Sequence, residues 1–202
     1  MKRDGLLLVV SGPSGTGKGT VLSLFKELSP DTVFSISATT RTPRKGEVDG
    51  KNYFFKSLEE FERMIEDQDM VEWVQYCGNY YGTPKCFIDE SIKSGKDVVL
   101  EIEVEGALNI KKLFPKSVII FIAPPTFKEL RRRIESRGTE DSETIARRLE
   151  KARKELLLVE KYDYVIVNED VQEAVNDLLS IIHSEKLRVT RCADLQKMFF
   201  DM

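Results

Sequence analysis

The strongest constraint on this chain lies near its start. The apolar run Leu6-Leu7-Leu8-Val9-Val10 leads into Gly12-Pro13-Ser14-Gly15-Thr16-Gly17-Lys18-Gly19-Thr20. A short branched run that ends in a glycine-rich turn, then a lysine and a helical pattern, reads as strand, phosphate loop and helix. Glycines let successive backbone N–H groups turn inward around a phosphate, where a side chain would clash. A helix beginning near Lys18 adds its positive end, and the Lys18 ammonium reaches further phosphate oxygens. The common pattern closes on Lys-Ser/Thr, whereas here Gly19 intervenes. Thr20 is therefore the first hydroxyl candidate for magnesium or phosphate, ahead of Ser14. The segment reads as a nucleoside-triphosphate site.

The surrounding pattern places that loop in an α/β core. Leu6–Val10, Val98–Ile102, Val118–Ile122 and Tyr164–Val167 are short apolar or β-branched runs, separated by helical patterns. Such runs predict a mostly parallel sheet covered on both faces. Helices are expected over Val21–Leu28, Leu108–Leu113, Thr126–Ser136 after Pro124-Pro125, and Asp170–His183. Residues 37–95 differ in character: they hold Lys51–Phe55, a helix at Leu58–Glu66, the alternating run Met70–Tyr76 and a tyrosine-glycine turn. They predict a mixed subdomain inserted between core segments 1–36 and 96–136. Residues 137–160 form a charged lid with a long helix, 161–186 return to the core, and 187–202 are expected to be a weakly anchored tail.

Composition narrows the classes of function. The 202 residues fit one domain, and 41% hydrophobic residues suffice for a core without metals or disulfides. A net charge of −3 gives no global attraction to nucleic acid or to an acidic membrane. Cys77, Cys86 and Cys192 are odd in number and irregular in spacing, which argues against a disulfide framework or a zinc site. The single histidine, His183, lies in a helical pattern, so no Ser-His-Asp arrangement is available elsewhere. The apolar runs are too short to span a bilayer, and the expected compartment is the cytoplasm.

A second phosphate-reading cluster follows the first helix. Ser37-Ala38-Thr39-Thr40-Arg41-Thr42-Pro43-Arg44-Lys45-Gly46-Glu47 combines hydroxyls with two arginines, whose planar forks match phosphate oxygens. Tyr53, Tyr80 and Tyr81 add hydroxyl donors. Glu72, within Val71-Glu72-Trp73-Val74-Gln75-Tyr76, is either a solvent-facing carboxylate or, beside this clamp, a reader of a base.

Taken with Gly78-Asn79-Tyr80-Tyr81-Gly82-Thr83, Glu103-Val104-Glu105-Gly106-Ala107 and Arg137-Gly138-Thr139-Glu140, these segments over residues 4–187 resemble the guanylate kinase family of P-loop nucleoside monophosphate kinases. The resemblance implies ATP and GMP as substrates and magnesium as cofactor, with no nucleic-acid or membrane partner. It matches Arg41, Arg44, Tyr53 and Tyr81 to the phosphate of GMP, and Ser37, Glu72, Thr83 and Glu103 to guanine. Glu47 matches a pocket carboxylate, Asn168 the adenine end, and Arg133, Arg137 and Arg148 the lid and triphosphate side. The family often carries aspartate and glutamine where this chain has Glu101, Glu103 and Glu105.

The chemistry of the implied base agrees. Guanine presents N1–H and N2–H2 side by side, so one carboxylate accepts both, whereas adenine leaves it badly paired at a cost of roughly 1–3 kcal/mol. Ser37 and Thr83 are expected to donate toward O6. Three alternatives stay open on the residues alone: a kinase for another monophosphate or a phosphorylated sugar, a binding module that reuses the pocket, and a nucleic-acid binder. An acceptor comparison separates the first. The intact Gly12–Thr20 loop argues against the second, and the compact arginine set against the third. No residue clearly reads the sugar, so the sequence leaves dGMP open as an acceptor, and it leaves the oligomeric state open.

Overall fold

The computed structural model describes residues 4–76, 78–136, 141–191 and 199–200. The core is a parallel five-stranded sheet built from β1 (Leu7–Ser11), β2 (Val33–Phe34), β7 (Val98–Glu101), β8 (Val118–Ala123) and β9 (Tyr164–Val167). Their order is β2-β7-β1-β8-β9, so β1 lies between strands that arrive late in the sequence. Leu7 pairs with Val98 on one side, and Leu8 with Val118 on the other. Both faces of β1 are buried, which explains its unbroken apolar run. Leu8 and Val10 share a core with Val21 and Phe25 of α1 (Lys18–Leu28) and Val175 and Leu178 of α7 (Val171–Leu187). Leu7 and Val9 meet Ile88 of α3 (Lys85–Lys93) and Ala107 and Ile110 of α4 (Val104–Leu113).

The order reverses between β7 and β1, and the crevice at the carboxyl ends of such neighbouring strands is where this class of sheet binds ligands. The glycine-rich loop leaves β1 at that point. Beyond β8, Thr126 caps α5 (Phe127–Glu135) by accepting from the Glu129 N–H at 3.0 Å. Asp141 caps α6 (Ser142–Leu156) in the same way from Thr144, at 2.7 Å.

A second sheet, in the order β4-β3-β6-β5, is mixed. It comprises β3 (Ala38–Thr39), β4 (Phe54–Phe55), β5 (Met70–Tyr76) and β6 (Asn79–Pro84). β6 runs antiparallel to β3 and β5, while β3 and β4 are parallel. The helix α2 (Leu58–Glu66) buries Phe61, whose ring stacks on Tyr80 at 5.4 Å between centroids. A capping box starts it: the Glu60 N–H donates to Ser57 Oγ at 3.1 Å, and the Ser57 N–H to Glu60 Oε2 at 2.8 Å.

Several sequence expectations need correction. The tyrosine-glycine stretch is strand β6 rather than a turn, because Tyr80, Tyr81 and Thr83 pair across to β5. The helix α3, which the sequence pattern does not signal, follows it directly, with Pro84 as the N-cap residue. The helix assigned to Leu108–Leu113 begins at Val104, and that assigned to Asp170–His183 runs on to Leu187. The start of the tail is tied down: Arg191 donates to Glu185 Oε2 from Nε and Nη2 at 3.0 and 2.8 Å, and from Nη2 to the Lys116 carbonyl at 2.9 Å. Among the described residues, no helix is long and apolar enough to cross a membrane.

Candidate active site

The phosphate loop is held in shape from both sides. Gly12 has φ +145°, and a Cβ there would meet the Ile122 carbonyl oxygen of β8 at 2.2 Å. Gly17, the residue before α1, has φ +89°, and a Cβ there would lie 2.4 Å from Asn168 Nδ2. That amide donates to the Thr16 carbonyl at 2.7 Å. Arg133 Nη1 donates to the same carbonyl at 3.3 Å, and its Nη2 to the Asn168 carbonyl at 3.0 Å. Glu129, one turn earlier on α5, accepts from Arg133 Nε at 2.8 Å and fixes the guanidinium. The pairing with Arg132 and Arg133 holds the Glu129 carboxyl down at about 2. Asn168 and Arg133 thus brace the loop through the Thr16 carbonyl. Glu129 was not among the sequence-derived candidates, although its i, i+4 spacing to Arg133 was the available signal.

Lys18 donates to the carbonyls of Gly12 and Pro13, folding back over its own loop. Burial pushes the ammonium's pKa down, opposed by Glu103, Glu101 and Glu155. Ser14, Gly15, Gly17, Lys18, Gly19, Thr20 and Glu101 line a cavity of about 360 Å³ at the loop. Thr20 is exposed in the first turn of α1, and Glu101 ends β7 beside it. From the other wall, Arg148 of α6 donates through Nη2 to Ser14 Oγ at 2.6 Å.

A larger cleft of about 640 Å³ shares Ser14, Lys18 and Glu101 with that cavity and extends past Glu103 and Lys151 to Ser37 and Glu72. The strands β5 and β6 present Glu72 opposite Thr83. The hydroxyl of buried Thr83 donates to Glu72 Oε1 at 2.8 Å, so it faces the carboxylate rather than open space. Burial pushes the Glu72 carboxyl up, with the Thr83 bond opposing the shift. This carboxylate is enclosed, oriented and on the same cleft as Lys18, which the solvent-facing reading of Glu72 does not allow.

The arginine pair forms a separate cluster that does not line the cleft. Arg41 makes a bidentate bridge to Glu47, Nη1 to Oε2 at 2.9 Å and Nη2 to Oε1 at 2.8 Å. Glu47 also accepts from the Arg44 backbone N–H at 2.6 Å. These bonds, Arg41 first, hold the Glu47 carboxyl below the usual range. The Arg41 guanidinium lies over the Tyr53 ring at 5.4 Å, and Tyr53 meets Tyr81 edge-on at 6.1 Å. Arg41, Glu47, Tyr53 and Tyr81 are therefore one unit, with exposed Arg44 on the same turn. Arg137 lies outside the described residues.

Fold and loop together define a P-loop protein of the nucleoside monophosphate kinase type. The guanylate kinase family model matches residues 4–185, and the chain belongs to the guanylate kinase family. It is 54% identical over 195 residues to a guanylate kinase of Caldanaerobacter subterraneus subsp. tengcongensis, covering 96% of this chain and 95% of the relative. To the Bacillus subtilis guanylate kinase it is 46% identical over 203 residues, spanning the full length of both. The crystal structure of guanylate kinase from Anaplasma phagocytophilum superposes with a TM-score of 0.75 at 33% identity, covering 100% of this chain and 96% of that one.

Proposed function

We propose that this cleft carries out the reaction that family membership assigns to the chain, ATP + GMP → ADP + GDP, with the loop after β1 as the triphosphate seat and residues 37–95 as the GMP seat. The observation that carries the reading is the single cleft that joins Lys18 to the enclosed Glu72. Glu72 accepts guanine N1–H and N2–H2 together, and Thr83 and Ser37 serve the O6 edge. An amino group at the adenine 6-position offers neither hydroxyl a matching acceptor. Arg41, Arg44, Tyr53 and Tyr81 receive the GMP phosphate, whose anion takes the place that Glu47 occupies at Arg41.

Lys18 and the loop N–H groups hold the β- and γ-phosphates. Arg133 and Arg148 add positive charge where the transferring group develops negative charge, and Arg137 is assigned the same task from its sequence position. The phosphate oxygen of GMP is already ionised near neutral pH, so the reaction needs alignment more than a protein base. The helix α6 reaches the loop through Arg148 and serves as part of the cover that excludes water.

Magnesium takes hard oxygen ligands, commonly one or two from protein beside substrate phosphates. The loop cavity offers the Thr20 hydroxyl and the Glu101 carboxylate, a donor set that fits. These two residues would hold the ion, which when bound would neutralise charge on the non-bridging phosphate oxygens.

The test is magnesium-dependent ADP formation from ATP with GMP, AMP, CMP, UMP and dTMP in parallel. GMP alone is expected to turn over well, with Glu72→Gln lowering kcat/KM for GMP by about tenfold or more. Equal use of AMP would overturn the base assignment.

A further inference from the structure

Glu103 stands at the N-cap position of α4, yet its side chain makes no cap. Its carboxylate instead accepts from Lys151 Nζ at 2.9 Å, across 48 residues of sequence. Lys151 belongs to α6, and both side chains line the cleft with Lys18, Ser37 and Glu72. The pair is exposed, 64% for Lys151 and 71% for Glu103, so as a stabilising bridge it is worth at most about 1 kcal/mol. Its place in the cleft gives it another use.

We propose that Lys151 is a positioning residue for GMP: its ammonium holds the Glu103 carboxylate over the acceptor end of the cleft and cancels its charge there. Three carboxylates, Glu101, Glu103 and Glu155, act on Lys18 in this region. Lys151 bonds one and lies 3.5 Å from Glu155 Oε1, which is almost fully buried. The bond to Glu103 is the first cause that keeps the Lys151 ammonium charged. Without it, the dianionic phosphate of GMP approaches an acidic cluster with one cation fewer to offset it. Glutamate is also one methylene longer than aspartate, so its carboxylate sweeps a wider arc unless something anchors it. The bridge supplies that anchor, and it couples the β7–α4 turn to α6. Lys151 is held on Glu103 rather than on the phosphate loop, which separates its role from charge stabilisation at the transferred group.

The inference rests on Glu103 facing GMP, and steady-state kinetics of the full chain test both points. Lys151→Gln is expected to raise KM for GMP by about three- to fivefold, the size of an exposed ion pair. KM for ATP and kcat should stay within about twofold, and Lys151→Arg should restore KM for GMP, because the charge and reach are kept. Glu103→Gln alone should raise KM for GMP, and adding Lys151→Gln to it should cost nothing further, since the two act as one contact. If Glu103→Gln raises KM for GMP while Lys151→Gln does not, the positioning role is wrong. A loss confined to kcat in Lys151→Gln would overturn it too, by placing the ammonium at the transferred phosphoryl group. Unchanged KM for GMP in Glu103→Gln would remove the premise, and the proposal with it.

Discussion

The two ends of the cleft are built on opposite plans. At the triphosphate end, the loop leaves a fully buried strand, takes left-handed glycine conformations, and is braced by Asn168 and Arg133. At the acceptor end, the loop after β3 and the paired strands β5 and β6 carry side chains that satisfy one another: Arg41 with Glu47, and Glu72 with Thr83. The first end is a socket whose backbone is fixed before any nucleotide arrives. The second is a set of polar pairs whose bonds an arriving nucleotide replaces in kind. A site of that second type loses little on binding, because each displaced bond is exchanged for another rather than simply broken.

The sharpest test of the fixed socket is Lys18→Ala, which is expected to lower kcat by about 10²- to 10³-fold, the usual effect of removing one preorganised charge. Circular dichroism should show the fold intact, since among the described residues Lys18 Nζ hydrogen-bonds only to the Gly12 and Pro13 carbonyls of its own loop. Gly17→Ala comes next. A left-handed alanine costs about 1–3 kcal/mol, and its Cβ would press on Asn168. A lower melting temperature together with weaker ATP binding is expected; unchanged ATP affinity would mean the loop is less fixed than its contacts imply.

The exchangeable end is probed by pH. Burial raises the Glu72 carboxyl, so its proton is lost only above the ordinary carboxylate range. The protonated form cannot accept both guanine N–H groups, and kcat/KM for GMP should fall as pH drops, beginning above the ordinary glutamate value of about 4.3. Glu72→Gln should abolish that limb. The smallest effect is expected from Glu47→Gln, which releases Arg41 from a half-buried partner. Inorganic phosphate should then inhibit competitively with GMP about two- to fivefold more strongly than in the parent chain. Unchanged inhibition would show that Glu47 does not stand in for an anion.

How much of this was legible in the sequence differs between the two ends for the same reason. The strand at β9 and the helix α2 coincide with their expected bounds, and β1, β7 and β8 lie within one residue, whereas the two-residue core strand β2 carries too short a run to signal itself. Their signals are local: a capping box at Ser57 and Glu60, and continuous apolar runs, which are buried throughout in β1, Val98–Leu100 and Val118–Ile122, while the outer strand β9 leaves Val165 and Val167 exposed. By contrast β6 carries Asn79, Gly82 and Pro84, residues that signal turns, and only its pairing to β3 and β5 makes it a strand. The site residues were named through resemblance, but their partners were not. Nothing local indicates that Thr83 bonds Glu72, that Arg41 is closed on Glu47, or that Lys151 reaches Glu103. The bracing of the loop by Arg133 and Asn168 likewise spans 117 and 152 residues.

The position of β1 between later strands also sets a schedule for the newborn chain. Its backbone partners lie far behind it: Leu7 pairs with Val98, 91 residues on. At a synthesis rate of about 5–20 residues per second, that apolar strand waits roughly 5–20 s before its first neighbour has been made. During that interval the segment destined to cradle a nucleotide is a bare, sticky β-former. The ribosome-bound chain thus depends on α1, which follows at once with Val21, Leu22 and Phe25, to give it local cover.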